Sequence, residues 1–301
     1  MALIEGLHVP LVTPFDRAGA VDLAALERLA GRVLDGGADG LVALGTTAEA
    51  ATLTRAEHDA IVDRCAGVCA ERGVPLTVGA GGNDTAAAVA EVARRGSQRG
   101  VAALLSVVPP YTRPSLAGVR AHFAALAAAS PVPLLVYDVP ARTGIRLPAA
   151  DQLALAQELP AIAGVKLAVP ALDDDALDLL ERAPASYAVL CGEDRLMLPM
   201  TAAGGRGAIT ASAHVATERF AALLAAARAG ELDAARAASR ALAPLVRALF
   251  AEPNPVVIKA LLAAEGAIES AAVRLPLTPA TAAAVERALD VVAALASAPA
   301  L

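Results

Sequence analysis

This chain of 301 residues has almost no lysine. Of its 25 Lys+Arg, only Lys166 and Lys259 are lysine. Wherever a positive charge alone suffices, arginine supplies it, so a lysine marks a place where arginine would not serve. The chemical difference is specific: a desolvated lysine amine can lose its proton and attack a carbonyl, whereas a guanidinium stays protonated. Tryptophan is absent and there are only three tyrosines, so the position of each tyrosine is informative. Of the three cysteines, Cys65 and Cys69 lie one helical turn apart and Cys191 stands alone. An odd count without CxxC or histidine partners argues against a disulfide framework and structural zinc, and for a reducing compartment. No stretch of about 18 residues has the unbroken apolar character of a membrane span. The opening MALIEGLHVPLVTPF has no basic n-region and no signal-type cleavage site. A net charge of −6 with scattered arginines argues against a nucleic-acid surface. A cytoplasmic protein with neither membrane nor nucleic-acid partner is the expectation.

What is present has a rhythm. Short apolar runs begin near His8, Gly40, Pro75, Val101, Pro133, Ala161, Tyr187 and Gly207. They are near-continuous rather than alternating, as in parallel strands covered on both faces. Helical patterns lie between them. Leu23, Leu26, Leu29 and Val33 share a face ahead of Gly36-Gly37, and Thr54 with Glu57 has capping-box spacing ahead of Gly73. Further helices are expected from Asp84, Ser115, Pro148, Leu172, Asp194 and Val215. Eight strands alternating with eight helices predict an α/β fold, a (β/α)8 TIM barrel. The GAGGND stretch, residues 79–84, lacks GxGxxG spacing and reads as a tight turn. After Gly230 the strand signal stops and three helical stretches follow, a C-terminal three-helix appendage. The expected division is residues 1–230 as a catalytic barrel and 231–301 as a helical domain.

In such a barrel, chemistry gathers at the C-terminal ends of the strands. The second strand runs into GTTAE (Gly45–Glu49), the fourth into PPYTRP and the fifth into YDVPARTG; the sixth carries Lys166 and the seventh ends CGED. Period-2 alternation turns Val165 and Leu167 to the helix layer and Lys166 to the barrel interior. Lys166 then reads either as a Schiff-base nucleophile or as a lysine that snorkels or pairs with a buried acid. Tyr111 and Tyr137 fall on strand-end loops, where a phenol can relay the protons that imine and aldol chemistry move. Thr46 and Thr47 add hydroxyls, and Arg142, in a Gly-terminated loop, can clamp a carboxylate. The four histidines, His8, His58, His122 and His214, show no metal-ligand spacing. Asp173–Asp175 fits a helix N-terminus better than a metal. No P-loop or Ser/His/Asp order appears.

These motifs, GTTAEAATL, VVPPYTRPS, VYDVPARTG, GVK, CGED, GGRGAIT, EPNPVVIKALL and RLPLTP, resemble the pyruvate-dependent class I aldolase family that contains dihydrodipicolinate synthase and N-acetylneuraminate lyase. The resemblance runs from LVTPFD to RLPLTP, almost the whole chain. It implies a barrel with a C-terminal helical domain, assembled as a homotetramer of tight dimers. Lys166 matches the lysine that forms an imine with pyruvate, and Tyr137 the proton donor and acceptor. Thr46, Tyr137 and Tyr111 match a proton-relay triad, with the tyrosine of the PPY loop supplied by the neighbouring subunit. Thr47 and Ile209 match positions that hold pyruvate, Arg142 the one that binds the aldehyde's carboxylate, and Gly192 one that leaves room beside the site. The implied reaction joins pyruvate to L-aspartate 4-semialdehyde, with the imine as electron sink and no cofactor. Two other readings stay open: an aldolase of the same family acting on a sugar acid or a different aldehyde, and a non-catalytic binding protein on the same barrel.

Three positions depart from the family pattern. Ala48 stands where GTTGE has glycine, Leu167 where an acid usually follows the lysine, and His214 where asparagine is usual. A positive φ at Ala48 would strain it by about 1 kcal/mol. The family's lysine-feedback site is also incomplete: His58 and Asn83 match it, while Arg55, Ala87 and Pro110 do not. Weak or absent feedback by lysine is the expectation. Lys259 matches a family motif, and the sequence offers no physical account of it.

Overall fold

The computed structural model describes residues 4–297. Eight strands form, each on an expected apolar run: β1 (Gly6–Pro10), β2 (Gly40–Ala43), β3 (Leu76–Gly79), β4 (Val101–Val107), β5 (Leu134–Asp138), β6 (Ile162–Leu167), β7 (Ala188–Cys191) and β8 (Gly207–Ile209). They close into a barrel in chain order, β1 to β8. The pairs β1–β2, β4–β5 and β6–β7 are parallel. Every residue of β5 and β6 is buried, which is why these strands read as apolar runs without alternation.

The helices are α1 (Leu23–Asp35), α2 (Arg55–Arg72), α3 (Thr85–Gly96), α4 (Leu116–Ala129), α5 (Pro140–Thr143), α6 (Ala149–Glu158), α7 (Asp174–Arg182), α8 (Met197–Ala202), α9 (Thr217–Ala229), α10 (Leu232–Leu249), α11 (Val256–Ala264) and α12 (Ala282–Ser297). Several of their starts follow from side chains that satisfy the first N–H groups of the helix. Asp22 accepts from Ala25 N–H, Asp84 from Ala86 and Ala87 N–H, and Ser115 from Gly118 N–H. Thr54 and Glu57 form the expected capping box, and α2 stops at Gly73 in the left-handed conformation, φ 66°. One element was not expected: α5, a single turn opened by Pro140 and closed by Gly144 at φ 73°, occupies what reads in sequence as a loop.

Two compact units contribute to the barrel. One comprises Pro75–Ile209 with the chain up to Gly6; the other comprises Leu7–Val74 with the chain from Thr210 onward. In the second unit α10 packs on α9 and α12, and α11 on α12, so the three C-terminal helices form a connected layer. Among the described residues no helix is long and apolar enough to cross a membrane.

Candidate active site

Lys166 sits on β6, in register with Tyr137 on β5 and Leu190 on β7. Its Nζ lies 4.3 Å from the centroid of the Tyr137 ring, and both side chains are buried. The flanking Val165 and Leu167 are fully enclosed. Among the described residues Lys166 makes no ion pair with a carboxylate, so the reading as the partner of a buried acid does not hold for it. Gly192 follows β7 directly, its N–H donating to Leu167 C=O. A Cβ there would lie 2.9 Å from Lys166 Cγ and 3.0 Å from Ala168 Cβ. Glycine is therefore needed at this position because the lysine stem passes against the backbone.

Tyr111 lies on the loop after β4 and Arg142 on α5 after β5, in the same unit, and the two segments touch. A Cβ on Gly144 would lie 2.6 Å from Arg113 Nε, so PPYTRP and RTG pack guanidinium against backbone. Tyr111 has φ 69° and Arg113 φ 46°, a left-handed region that non-glycine residues seldom occupy. Tyr111 is 89% exposed, so the chain's own fold does not bury its ring. Arg142 lies in the single turn of α5, exposed and, among the described residues, without an acidic partner. Ile209 ends β8 and is buried.

Asp138, beside Tyr137, was not singled out in the sequence. Its carboxylate accepts from Leu147 N–H and Gln152 Nε2, both at 3.4 Å. Burial pushes its pKa up to about 7. Tyr187, the third tyrosine, donates to Gln152 Oε1 in the same buried chain.

In the other unit, Thr46–Ala48 form a short 3-10 turn after Gly45, with Thr46 exposed and Thr47 buried. The left-handed residue is not Ala48 but Glu49, at φ 55°. The strain expected of Ala48 at a positive φ is therefore absent, and its carbonyl accepts from Thr13 Oγ1 at 2.7 Å. Thr47 Oγ1 accepts from Asn254 Nδ2 at 2.9 Å. Glu49 Oε1 takes Lys259 Nζ at 2.8 Å, and Glu49 Oε2 takes Arg274 N–H at 2.8 Å. Both members of the Lys259–Glu49 pair are fully buried. Burial lowers the pKa of Lys259, opposed by the Glu49 carboxylate. The Phe15 ring lies 4.0 Å from Lys259 Nζ and 4.5 Å from Arg274 Cζ. This gives Lys259 the account that the sequence lacked.

The other departures have structural explanations too. Leu167 is buried on β6 and pairs with Asp138 and Cys191. His214 is buried; its Nε2 accepts from Val12 N–H at 3.1 Å and its Nδ1 lies 2.8 Å from Ala211 C=O. That assigns the neutral tautomer with hydrogen on Nδ1, and burial pushes the pKa down to about 4.

A closed eight-stranded parallel barrel, with a buried lysine on its sixth strand facing a tyrosine ring rather than a carboxylate, defines the class of molecule. Within that class, this chain belongs to the Dihydrodipicolinate synthetase family, which it matches over residues 3–295. It is 43% identical over 271 residues to the 4-hydroxy-tetrahydrodipicolinate synthase of Moorella thermoacetica, covering 90% of this chain and 91% of the relative. The crystal structure of dihydrodipicolinate synthase from Thermotoga maritima superposes with a TM-score of 0.94 at 31% identity, covering 98% of this chain and 99% of the other. The chloride-inhibited enzyme of Acinetobacter baumannii, solved in complex with pyruvate, gives a TM-score of 0.93 at 32% identity, covering 97% and 99%.

Proposed function

We propose that this chain is a lyase that condenses pyruvate with L-aspartate 4-semialdehyde to give 4-hydroxy-tetrahydrodipicolinate, in lysine and diaminopimelate biosynthesis in the cytoplasm. The observation that carries the reading is the contrast between its two lysines. Lys259 is tied to a carboxylate, while Lys166 has none among the described residues and faces the Tyr137 ring.

Lys166 Nζ adds to the keto carbon of pyruvate and water leaves, forming a protonated imine. The imine accepts the electrons released when a methyl proton departs, and the resulting enamine carbon attacks the aldehyde. The amine of the second substrate then displaces Lys166, closing the ring and freeing the lysine. The imine is the electron sink, so the chemistry asks for no cofactor. Tyr137 transfers the protons, with Thr46 and Tyr111 completing the relay. Thr47 and Ile209 hold pyruvate, Thr47 at its carboxylate; Gly192 leaves room for the lysine, and Arg142 clamps the carboxylate of the aldehyde. The exposed guanidinium of Arg142, without an acidic partner among the described residues, supports that last assignment.

The assembly belongs to the same proposal: a homotetramer, a dimer of dimers, in which Tyr111 serves the neighbouring subunit's site. Support comes from Tyr111 itself, a tyrosine at φ 69° with its ring in solvent. Residues 1–230 form the catalytic barrel and 231–301 the helical domain. Ala48, Leu167 and His214, the departures from the family pattern, each fill a structural role, so no observation favours a second reading. The test is pyruvate-dependent turnover of L-aspartate 4-semialdehyde by the purified protein. Turnover is expected; a folded protein that binds pyruvate covalently yet ignores this aldehyde would overturn the substrate assignment.

A further inference from the structure

Two motifs of the C-terminal region, EPNPVVIKALL and RLPLTP, have no place in the chemistry above, yet both end on the GTTAE turn. Each residue from Thr47 to Glu49 is held by a separate long-range contact. Asn254 Nδ2 donates to Thr47 Oγ1, Thr13 Oγ1 donates to Ala48 C=O, and Glu49 receives Lys259 Nζ and Arg274 N–H on its two oxygens. Arg274 spreads the same clamp. Its guanidinium donates to Thr52 C=O at 3.0 Å, to Gly19 C=O at 2.8 Å and to both oxygens of Glu57.

The geometry has a consequence at Thr47. A hydroxyl has one hydrogen and two lone pairs. With Asn254 donating to the oxygen, the hydroxyl hydrogen of Thr47 is directed elsewhere and is available to an anionic oxygen. Glu49 meanwhile occupies a left-handed backbone that a glutamate does not favour, φ 55°, and its carboxylate is fully buried. Lys259 and the Arg274 N–H compensate that buried charge, and in doing so they fix the turn one residue beyond Ala48.

We propose that Asn254, Lys259 and Arg274 are positioning residues, through which the C-terminal region holds the GTTAE turn so that Thr47 presents its hydroxyl to the carboxylate of the 2-oxo acid. This rests on the reading that Thr47 binds the pyruvate carboxylate. None of the three touches the reacting atoms; they act through Thr47 and Glu49. Removing one loosens the carboxylate site and leaves Lys166 and Tyr137 where they are.

The experiment compares wild type with Asn254→Ala and Arg274→Ala. Borohydride trapping is measured against pyruvate concentration, with kcat and KM for both substrates and the melting temperature. Asn254→Ala deletes one hydrogen bond and keeps the buried ion pair, so it is the variant expected to fold; Lys259→Met leaves Glu49 unpaired and serves only as a third arm. The half-saturating pyruvate concentration is expected to rise about five- to tenfold in Asn254→Ala. KM for the aldehyde and kcat should move by less than about threefold, since only the hydrogen bond that orients Thr47 is lost. Lower melting temperatures with unchanged half-saturation by pyruvate in the folded variants would reduce the clamp to a purely structural device and overturn the proposal. No trapped adduct in wild type would remove the reading of the site itself, and the clamp with it.

Discussion

Lys166 Nζ lies 4.3 Å from the centre of the Tyr137 ring, and the two residues are direct register partners on β6 and β5. Adjacent parallel strands therefore place an amine and a phenol side by side, with no loop needed to bring them together. Strands are the most rigid elements available for such a pair. If Tyr137 moves protons for the lysine, Tyr137→Phe keeps the ring beside Lys166 and removes only the hydroxyl. The expected loss in kcat is about 10²- to 10³-fold, with the fold retained. Steady-state kinetics beside a melting curve checks this, and a kcat within a few-fold of wild type would count against the role.

Gly192→Ala tests how tightly the lysine is placed. The added Cβ would meet Lys166 Cγ at 2.9 Å, so the lysine stem must shift. Displacement of a reacting group by an ångström costs roughly 10²-fold, and that is the predicted loss in the rate of pyruvate adduct formation. Wild-type trapping rates in this variant would show that the stem has slack.

Two buried groups predict opposing pH effects on stability. His214 has its pKa lowered to about 4 from 6.5, so between those values the unfolded chain binds the proton first and stability rises with pH. Asp138 has its pKa raised to about 7 from 3.8, so across that window the unfolded chain ionises first and stability falls as pH rises. Each effect is on the order of 3 to 4 kcal/mol, and between pH 4 and 6.5 they oppose one another. His214→Asn should expose the Asp138 slope, with stability falling as pH rises. Asp138→Asn should expose the His214 slope, with stability rising. Urea unfolding across this range checks both signs, and parallel profiles for the two variants would contradict the assignment.

The feedback expectation follows from residue types alone. Relative to the family's lysine site, Ala87 replaces an acid, Pro110 an aromatic and Arg55 a histidine. A bound lysine would lack a partner for its ammonium group, so inhibition of turnover by L-lysine should be weak or absent. Sub-millimolar inhibition would contradict this.

Much of the fold was legible because parallel strands buried on both faces leave a distinctive trace, eight apolar runs spaced by helical patterns, several of them with a readable cap. Thr54 with Glu57 is the plainest case, a capping box readable in four letters and present in the structure. Lys166 was legible through scarcity. Lys259 was equally scarce and still opaque, because its partner lies 210 residues away and no local pattern encodes such a pairing. The same holds for Asn254 with Thr47 and for Arg274 with Glu57. The signal that was available is indirect: Glu49 is the acid of GTTAE, and a buried acid needs a cation. At Ala48 the condition for strain is not met. A glycine in a motif suggests a positive φ, but the left-handed residue turned out to be its neighbour Glu49. The helical turn of α5 was missed because four residues are too few to show a period.

The chemistry turns on Lys166 making a carbon–nitrogen bond, and the most direct measurement is borohydride reduction of the protein in the presence of pyruvate, followed by peptide mass analysis. The prediction is one reduced pyruvate per chain, on the peptide that contains Lys166, and none in a folded Lys166→Arg variant. A modified Lys259, or a Lys166→Arg protein that still traps pyruvate or turns over substrate, would contradict it.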